Sequence, residues 1–394
     1  MQEAVRGAKT KLGTAFPQAV DGMPPRLPGE SESQSGLTPE ILAAIPEQAC
    51  TLHRLLGARP NSGLFRHDRT NPLRLDVLVV DEASMIDLAL LAKLVEALPP
   101  QARLILLGDK DQLASVEAGA VFGDICAGAE QGAMANSIAL LHKSYRFGST
   151  SGIGSLADAI RRGDAPATLN LLAAGEFANV AWRNNTLHSA PDAQLPLAQR
   201  LLDGYQDYFT ALHERAEPSV LFELFGRFRV LCAHREGLAG VTGLNALVED
   251  ALRRSGRIPK HDVWYHGRPV MVARNDYPIS LLNGDIGIAW GDGSDRRVYF
   301  QSADGGLRDF PPGRVPQHET VYAMPVHKSQ GSEFDNVLLA LPDEASPVTN
   351  RAMIYTAVTR AKRHIEIWSG QRVLEQSIQR GSTRSSGLKD KLCL

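Results

Sequence analysis

A chain of 394 residues, 43% hydrophobic and 22% charged, is long enough for two or three domains with their own cores. Its formal net charge of −2 provides no global basic field, so any nucleic-acid binding must use a local groove. Its four cysteines (Cys50, Cys126, Cys232 and Cys393) form no C-x-x-C, no H-E-x-x-H occurs, and no apolar run is long enough to span a bilayer. The pattern argues against a disulfide framework, a zinc site and a membrane protein, and the expected location is cytoplasmic.

In chain order, residues 1–13 read as a polar helix ending at Gly13, and 21–36, DGMPPRLPGESESQSG, as a Pro/Gly/Ser-rich linker. Residues 37–56 read as helices. An α/β block follows over about 73–123. Within it LDVLVVDEASMID and RLILLGDKDQL each run from apolar residues into carboxylates. The run 77–80 lacks polar alternation, as expected of a strand buried on both faces of a parallel sheet. Asp81-Glu82 then falls at the C-terminal strand edge, where open α/β sheets bind ligands. A second strand over 104–107 ends in Gly108-Asp109 with Gln112 close behind, and a helix over 88–97 lies between the two.

Residues 124–142 are rich in small residues and carry no clear period. Residues 151–215 read as mostly helical, and RFRVLCAHR (227–235) as a strand returning to an α/β layer. From 267 to 315 the character changes to short strands broken by Asn-Gly, Asp-Gly and Gly-Gly turns, which reads as a small β-barrel inserted in the second α/β domain. A strand–loop–helix–strand pattern closes the fold, and 371–394 reads as a basic, frayed tail.

Five segments carry candidate chemistry. Asp81 fits a Mg²⁺ ligand acting through water, and Glu82 a general base for an attacking water. Gln112 has reach to both a γ-phosphate and that water; a solvated charged turn is the bland alternative. Arg146 in SYRF is either a structural cation–π residue or an arginine finger neutralising charge on a γ-phosphate. His327, Lys328, Ser329 and Gln330 in VHKSQG are donors beside a glycine, suited to phosphate oxygens of a nucleic-acid backbone; a polar loop closing a strand fits equally. Arg360 in YTAVTRAKR, placed on a helix opening, would face a nucleotide; a solvated basic helix face is the alternative.

The order DEAS, GDKDQL, SYRF, VHKSQGSEF, YTAVTRA resembles motifs II to VI of superfamily 1 helicases. With TLHRLLG, KSYRFGSTSGIG, LCAHREG and NGDIGIA, it resembles more closely the family of exodeoxyribonuclease V alpha subunits, RecD of the RecBCD complex. The resemblance implies two RecA-like domains of P-loop type with ATP in the cleft between them and an SH3-like barrel matching 267–315. The domain layout is then 1–40 helix and linker, 41–150 the C-terminal part of the first RecA-like domain (incomplete), and 151–394 the second. It implies ATP-dependent 5′→3′ translocation on DNA in double-strand break repair and recombination, with ATP and Mg²⁺. The implied partners are single-stranded and duplex-end DNA and the beta and gamma subunits of a heterotrimer. By motif matching, Arg146 and Arg360 are arginine fingers, Glu333, Gly331, Gly108 and Asp109 are nucleotide contacts, and Thr51, His53 and 327–330 are DNA contacts.

Two departures stand out. No G-x-x-x-x-G-K-[ST] loop occurs; Gly7-Ala8-Lys9-Thr10 lacks the glycine before lysine and follows a helix-like segment. The expectation is a truncated chain, inactive in isolation, with a non-enzymatic DNA-binding or assembly module as the alternative. Second, Pro325 replaces the family's Thr and removes both a hydroxyl and a backbone N–H.

Overall fold

The computed structural model describes residues 49–59, 62–114, 120–129, 135–141, 147, 151–184, 191–302, 305–381, 388 and 391. The expected features at 1–40 and Arg146 lie outside the described residues, as does the 37–48 part of the expected helices. Packing divides the chain into two compact units, Met1–Gly108 and Asp109–Leu394.

In the first unit, helix α1 (Leu52–Leu56) is capped by Thr51, whose Oγ1 accepts from the Arg54 N–H at 3.3 Å, and ends at Gly57 in the left-handed region. Strands β1 (Val77–Val80) and β2 (Arg103–Leu106) pair in parallel, Val79 opposite Ile105. Between them runs α2 (Leu88–Ala97), as expected, capped by Asp87 through the Leu90 N–H at 2.8 Å. Leu91 and Leu94 of α2 are buried.

The expectation that 77–80 is buried on both faces is corrected. Val77 and Val79 are 54% and 46% exposed, and Ile105 and Leu107 are 38% and 44% exposed. Period-2 geometry and the parallel register put Val77, Val79, Ile105 and Leu107 on one face. Only the opposite face, with Val80 buried, is covered. A gapless apolar run reports the strand, but how many faces are covered depends on other elements.

The second unit opens with α3 (Val121–Ala129), followed by α4 (Gly152–Arg162) and α5 (Ala165–Ala174). Strand β3 (Val180–Arg183) interrupts what was expected to be helical. Helices α6 (Pro191–Gly204), α7 (Gln206–His213) and α8 (Pro218–Arg227) lead into β4 (Phe228–Cys232) and α9 (Val241–Arg254). Next come β5 (Pro269–Val272), β6 (Ile286–Trp290), β7 (Arg297–Gln301), β8 (Leu307–Phe310) and β9 (His318–Thr320). The chain ends with β10 (Ala323–Pro325), β11 (Phe334–Ala340), α10 (Arg351–Thr359), β12 (Ala361–Trp368) and α11 (Gln371–Gln379).

Two sheets result. The order β10-β4-β11-β12-β3 is parallel throughout. All five residues of β4 are buried, the mark of a central strand between helical layers. The second sheet, β8-β7-β6-β5-β9, is antiparallel and carries its own small core of Val270, Val272, Leu281, Ala289, Val298, Phe300 and Val315. It is inserted between α9 and β10. Its last strand extends past the expected limit at 315, because Val270–Val272 pairs with His318–Thr320.

The expected frayed tail is corrected in its first turns. Val373, Leu374 and Ile378 are buried, so α11 is an amphipathic helix docked on the core. Polar composition concealed a narrow apolar stripe.

Pro325 is tolerated because β10 is an edge strand. The Asn245 side chain from α9 completes that edge: Oδ1 accepts from the Ala323 N–H at 2.9 Å and Nδ2 donates to the Ala323 carbonyl at 3.1 Å. A side-chain amide thus satisfies the outward backbone groups of Ala323 on this edge.

Candidate functional site

Within the first unit, the end of β1 turns sharply. Glu82 adopts φ 53° and ψ 40°, a left-handed conformation uncommon for a residue with a Cβ, and starts a 3-10 turn over Ala83–Met85. The Asp81 Oδ1 accepts from the Glu82 N–H at 3.0 Å. The turn presents Asp81 exposed and Glu82 half-buried at the strand's C-terminal edge. Among the described residues no group of three or more His, Cys, Asp or Glu could hold a metal ion. Mg²⁺ in nucleotide sites takes one or two carboxylates and completes its shell with water and phosphate oxygens. The Asp81-Glu82 turn fits that requirement. Ser84 is 6% exposed and its Oγ has no hydrogen-bond partner.

Of the DNA-contact candidates here, Thr51 already serves as the α1 cap. His53 is exposed, its ring centroid 5.9 Å from that of Phe65.

Within the second unit, the structure brings three sequence-distant segments into one hydrogen-bonded cluster. Asp109 accepts twice on Oδ2, from Gln112 Nε2 at 3.1 Å and from the Tyr355 hydroxyl at 3.0 Å. The Gln112 Oε1 accepts from Arg360 Nη2 at 3.1 Å. The same guanidinium donates to the carbonyls of Thr356 (3.3 Å) and Ser332 (3.2 Å). One residue on, the Leu113 N–H donates to Thr356 Oγ1 at 2.8 Å and the Leu113 carbonyl accepts from Gln330 Nε2 at 2.6 Å. The segment after β2, the loop around Gln330 and helix α10 therefore share one network.

This network explains the electrostatics. Burial, then the Asp109 carboxylate, raises the pKa of Asp111. The same two causes, in the same order, raise that of Tyr355, which stays a phenol and a donor. The sequence reading did not single out Tyr355; its signal, one aromatic on α10, resembles any core residue.

Arg360 does not lie on a helix opening. It caps the C-terminus of α10 and is 3% exposed. A cation there suits the negative end of the helix dipole. Its orientation is set by Gln112 and the Thr356 and Ser332 carbonyls rather than by solvent.

In the loop after β10, Ser329 is 0% exposed and its Oγ donates to the Val326 carbonyl at 2.7 Å, so that hydroxyl is turned inward, away from any external phosphate. His327 is exposed; packing of the ring, then the adjacent Lys328 ammonium, lowers its pKa. Lys328 Nζ donates to Asn283 Oδ1 at 3.3 Å. Gly331 has φ 75°, and the Ser332 N–H closes the turn on the Ser329 carbonyl at 3.0 Å. Glu333 is exposed, 3.7 Å from Lys362. Gly108, exposed, ends the first unit.

Residues 36–181 match the AAA domain family, and 320–366 match the UvrD-like helicase C-terminal domain. The chain is 42% identical over 350 residues to RecBCD enzyme subunit RecD of Mycolicibacterium smegmatis, covering 87% of this chain and 59% of that protein. It is 34% identical over 401 residues to the RecD subunit of Haemophilus influenzae, covering 91% and 61%. It thus spans about three fifths of the length of these relatives. Among solved structures, the Pif1 helicase from Bacteroides in complex with ADP-AlF3 and ssDNA aligns at 18% identity over 80% of this chain and 78% of that one, with a TM-score of 0.42. No helix among the described residues is long and apolar enough to cross a membrane.

Proposed function

The chain is a homologue of the RecD subunits of RecBCD enzymes, and on that premise we propose that it is part of an ATP-dependent DNA helicase subunit, moving 5′→3′ on single-stranded DNA in the repair of double-strand breaks. The observation that carries this reading is the network joining Gln112, Arg360 and Gln330. A motor must couple nucleotide state to its grip on a strand. Here the residue proposed to sense a γ-phosphate and a residue proposed to touch DNA are separated by only the Leu113 backbone.

In this reading Glu82, at the left-handed turn that ends β1, takes a proton from the attacking water. Asp81 would hold Mg²⁺ through water, and the ion would supply positive charge to offset the negative charge of the phosphates. Arg360 and Arg146 stabilise the transferring phosphoryl group. Gly108, Asp109, Gly331 and Glu333 line the nucleotide, and Thr51, His53, His327, Lys328 and Gln330 contact DNA. For Ser329 we retain only a role through its backbone, given its inward hydroxyl. We read 41–150 and 151–394 as RecA-like domains and the antiparallel insert as an SH3-like barrel. The partners are the beta and gamma subunits of a cytoplasmic heterotrimer.

A second reading has one observation in its favour. No G-x-x-x-x-G-K-[ST] string occurs in these 394 residues, so the backbone cradle and lysine that hold a triphosphate are not encoded in them. By itself the chain then acts as a DNA-binding or assembly module. ATP hydrolysis and oligothymidylate binding, measured on the 394-residue chain and on Glu82→Gln, separate the readings. DNA-stimulated turnover abolished by Glu82→Gln supports the motor. DNA binding without turnover supports the module. Neither binding nor turnover overturns both.

A further inference from the structure

The LCAHREG segment, which the nucleotide network does not use, contains an exposed arginine with a specific partner. Arg235, just past β4, donates from Nη2 to Glu319 Oε2 at 2.5 Å. Glu319 lies on β9 of the inserted sheet. Its other oxygen, Oε1, is buried, has no hydrogen-bond partner and sits 3.9 Å from Lys328 Nζ. The carboxylate thus stands between two cations. Asn283, on the turn between β5 and β6 of the same insert, holds the lysine from another side at 3.3 Å.

The exposures are unequal in an informative way. Arg235 is 62% exposed, whereas the Lys328 and Glu319 side chains are 20% and 18% exposed. An exposed arginine gains little from a single surface ion pair, typically about 1 kcal/mol or less. A buried carboxylate oxygen with no hydrogen bond is unfavourable by more than that. The arrangement is therefore poor as a stabilising device. It resembles the way two cations grip the two non-bridging oxygens of a phosphodiester. Burial, together with the nearby Arg235 charge, lowers the Lys328 pKa, while Glu319 acts in the opposite direction. A phosphate in Glu319's place would supply the same compensation.

We propose that Arg235, Lys328 and Asn283 form a phosphate-binding subsite for a single-stranded nucleic-acid backbone, and that Glu319 occupies it until a strand phosphate displaces it. The inference rests on the nucleic-acid reading above and adds to it a residue, Arg235, and a built-in competitor. Because Glu319 and Asn283 both belong to the insert and Arg235 and Lys328 to the parallel-sheet layer, strand binding also loosens the hold between these layers at this point. The insert then acts as an electrostatic latch on the strand path.

The test is fluorescence anisotropy of a labelled oligothymidylate, titrated with the full chain across a series of salt concentrations. Three proteins are compared: wild type, Glu319→Gln and Arg235→Ala. Removing the competitor makes Glu319→Gln bind roughly three- to tenfold tighter at low salt. Arg235→Ala, at an exposed position that tolerates substitution, binds more weakly and has a log–log salt slope shallower by about 0.7. Unchanged or weaker binding by Glu319→Gln in a protein that melts like wild type overturns the latch. An Arg235→Ala slope equal to wild type overturns the subsite even if Glu319→Gln does not fold. Absence of binding by all three overturns the nucleic-acid reading itself, and the latch with it.

Discussion

Glu82 shows how a single residue can hold a fold and a chemistry in tension. Its φ of 53° puts a Cβ where left-handed backbone crowds it, at a cost of about 1–2 kcal/mol. Glycine adopts that conformation freely but loses more entropy on folding, roughly 0.5–1 kcal/mol. Glu82→Gly is therefore expected to stabilise the first unit by up to about 1 kcal/mol, read as a higher urea midpoint for its transition, while removing the proposed base. A midpoint that falls would show that the turn carries no strain. The side chains of Gln112 and Arg360 make the opposite point: each is oriented by partners rather than strained. The DE pair was readable as a candidate site from its place after an apolar run. Its backbone conformation was not, because nothing local in DEAS requires a left-handed residue.

Among the elements, the edge strand β10 is the most exposed to failure. It is three residues long, contains Pro325, and relies on Asn245 for the outward groups of Ala323. Asn245 is 7% exposed, so its loss leaves a buried N–H and a buried carbonyl without partners. Asn245→Ala is expected to lower stability by about 3 kcal/mol, measured by denaturant titration. Asn245→Asp serves as the control. It keeps the acceptor for the N–H but sets a second oxygen against the carbonyl, so most of the loss should persist. A shift below about 0.5 kcal/mol for Asn245→Ala would mean that water completes the edge. The helix α2, the strands β1 and β2 and the strand-rich insert were readable from period and turn residues. Strand β3 and helix α11 were not: each is short, and what makes it an element is the neighbour it docks on. Val180 is buried by pairing beside β12, and Leu374 and Ile378 by packing on the core.

For the molecule as a whole, packed histidines set a direction for stability against pH. Burial, as the leading cause, lowers the pKa of His266, His318 and His364 from 6.5. The folded state therefore prefers neutral imidazoles, and the unfolded state binds more protons as pH falls below about 6.5. Their contribution is complete above that value and is lost as pH drops through the lower folded-state pKa values. The Tm is expected to be flat near pH 7.5 and to fall between about pH 6.5 and 5, before carboxylates dominate. Replacing His318 with Gln should flatten part of this fall; an unchanged profile would remove that residue from the account. The face of Val77, Val79, Ile105 and Leu107 is a separate whole-chain property, an apolar surface that favours association of the isolated polypeptide.

What the sequence determined by itself was the set of chemical groups and their order. Carboxylates after apolar runs, an amide three residues past Asp109 and a donor-rich loop before a glycine turn can all be read along the chain. They suffice for an α/β fold and a helicase-like resemblance, because local patterning reports strand, turn and residue type. Tertiary structure decided which groups meet and which are consumed. It joined Gln112 to Arg360 and Gln330 to Leu113, turned the Ser329 hydroxyl inward, and set Glu319 between Arg235 and Lys328. The pairings of Gln112 with Arg360, Gln330 with Leu113 and Arg235 with Glu319 link segments far apart along the chain, where no period or spacing records them. A long-range contact is a property of packing and of satisfied hydrogen bonds, and only the folded chain contains it.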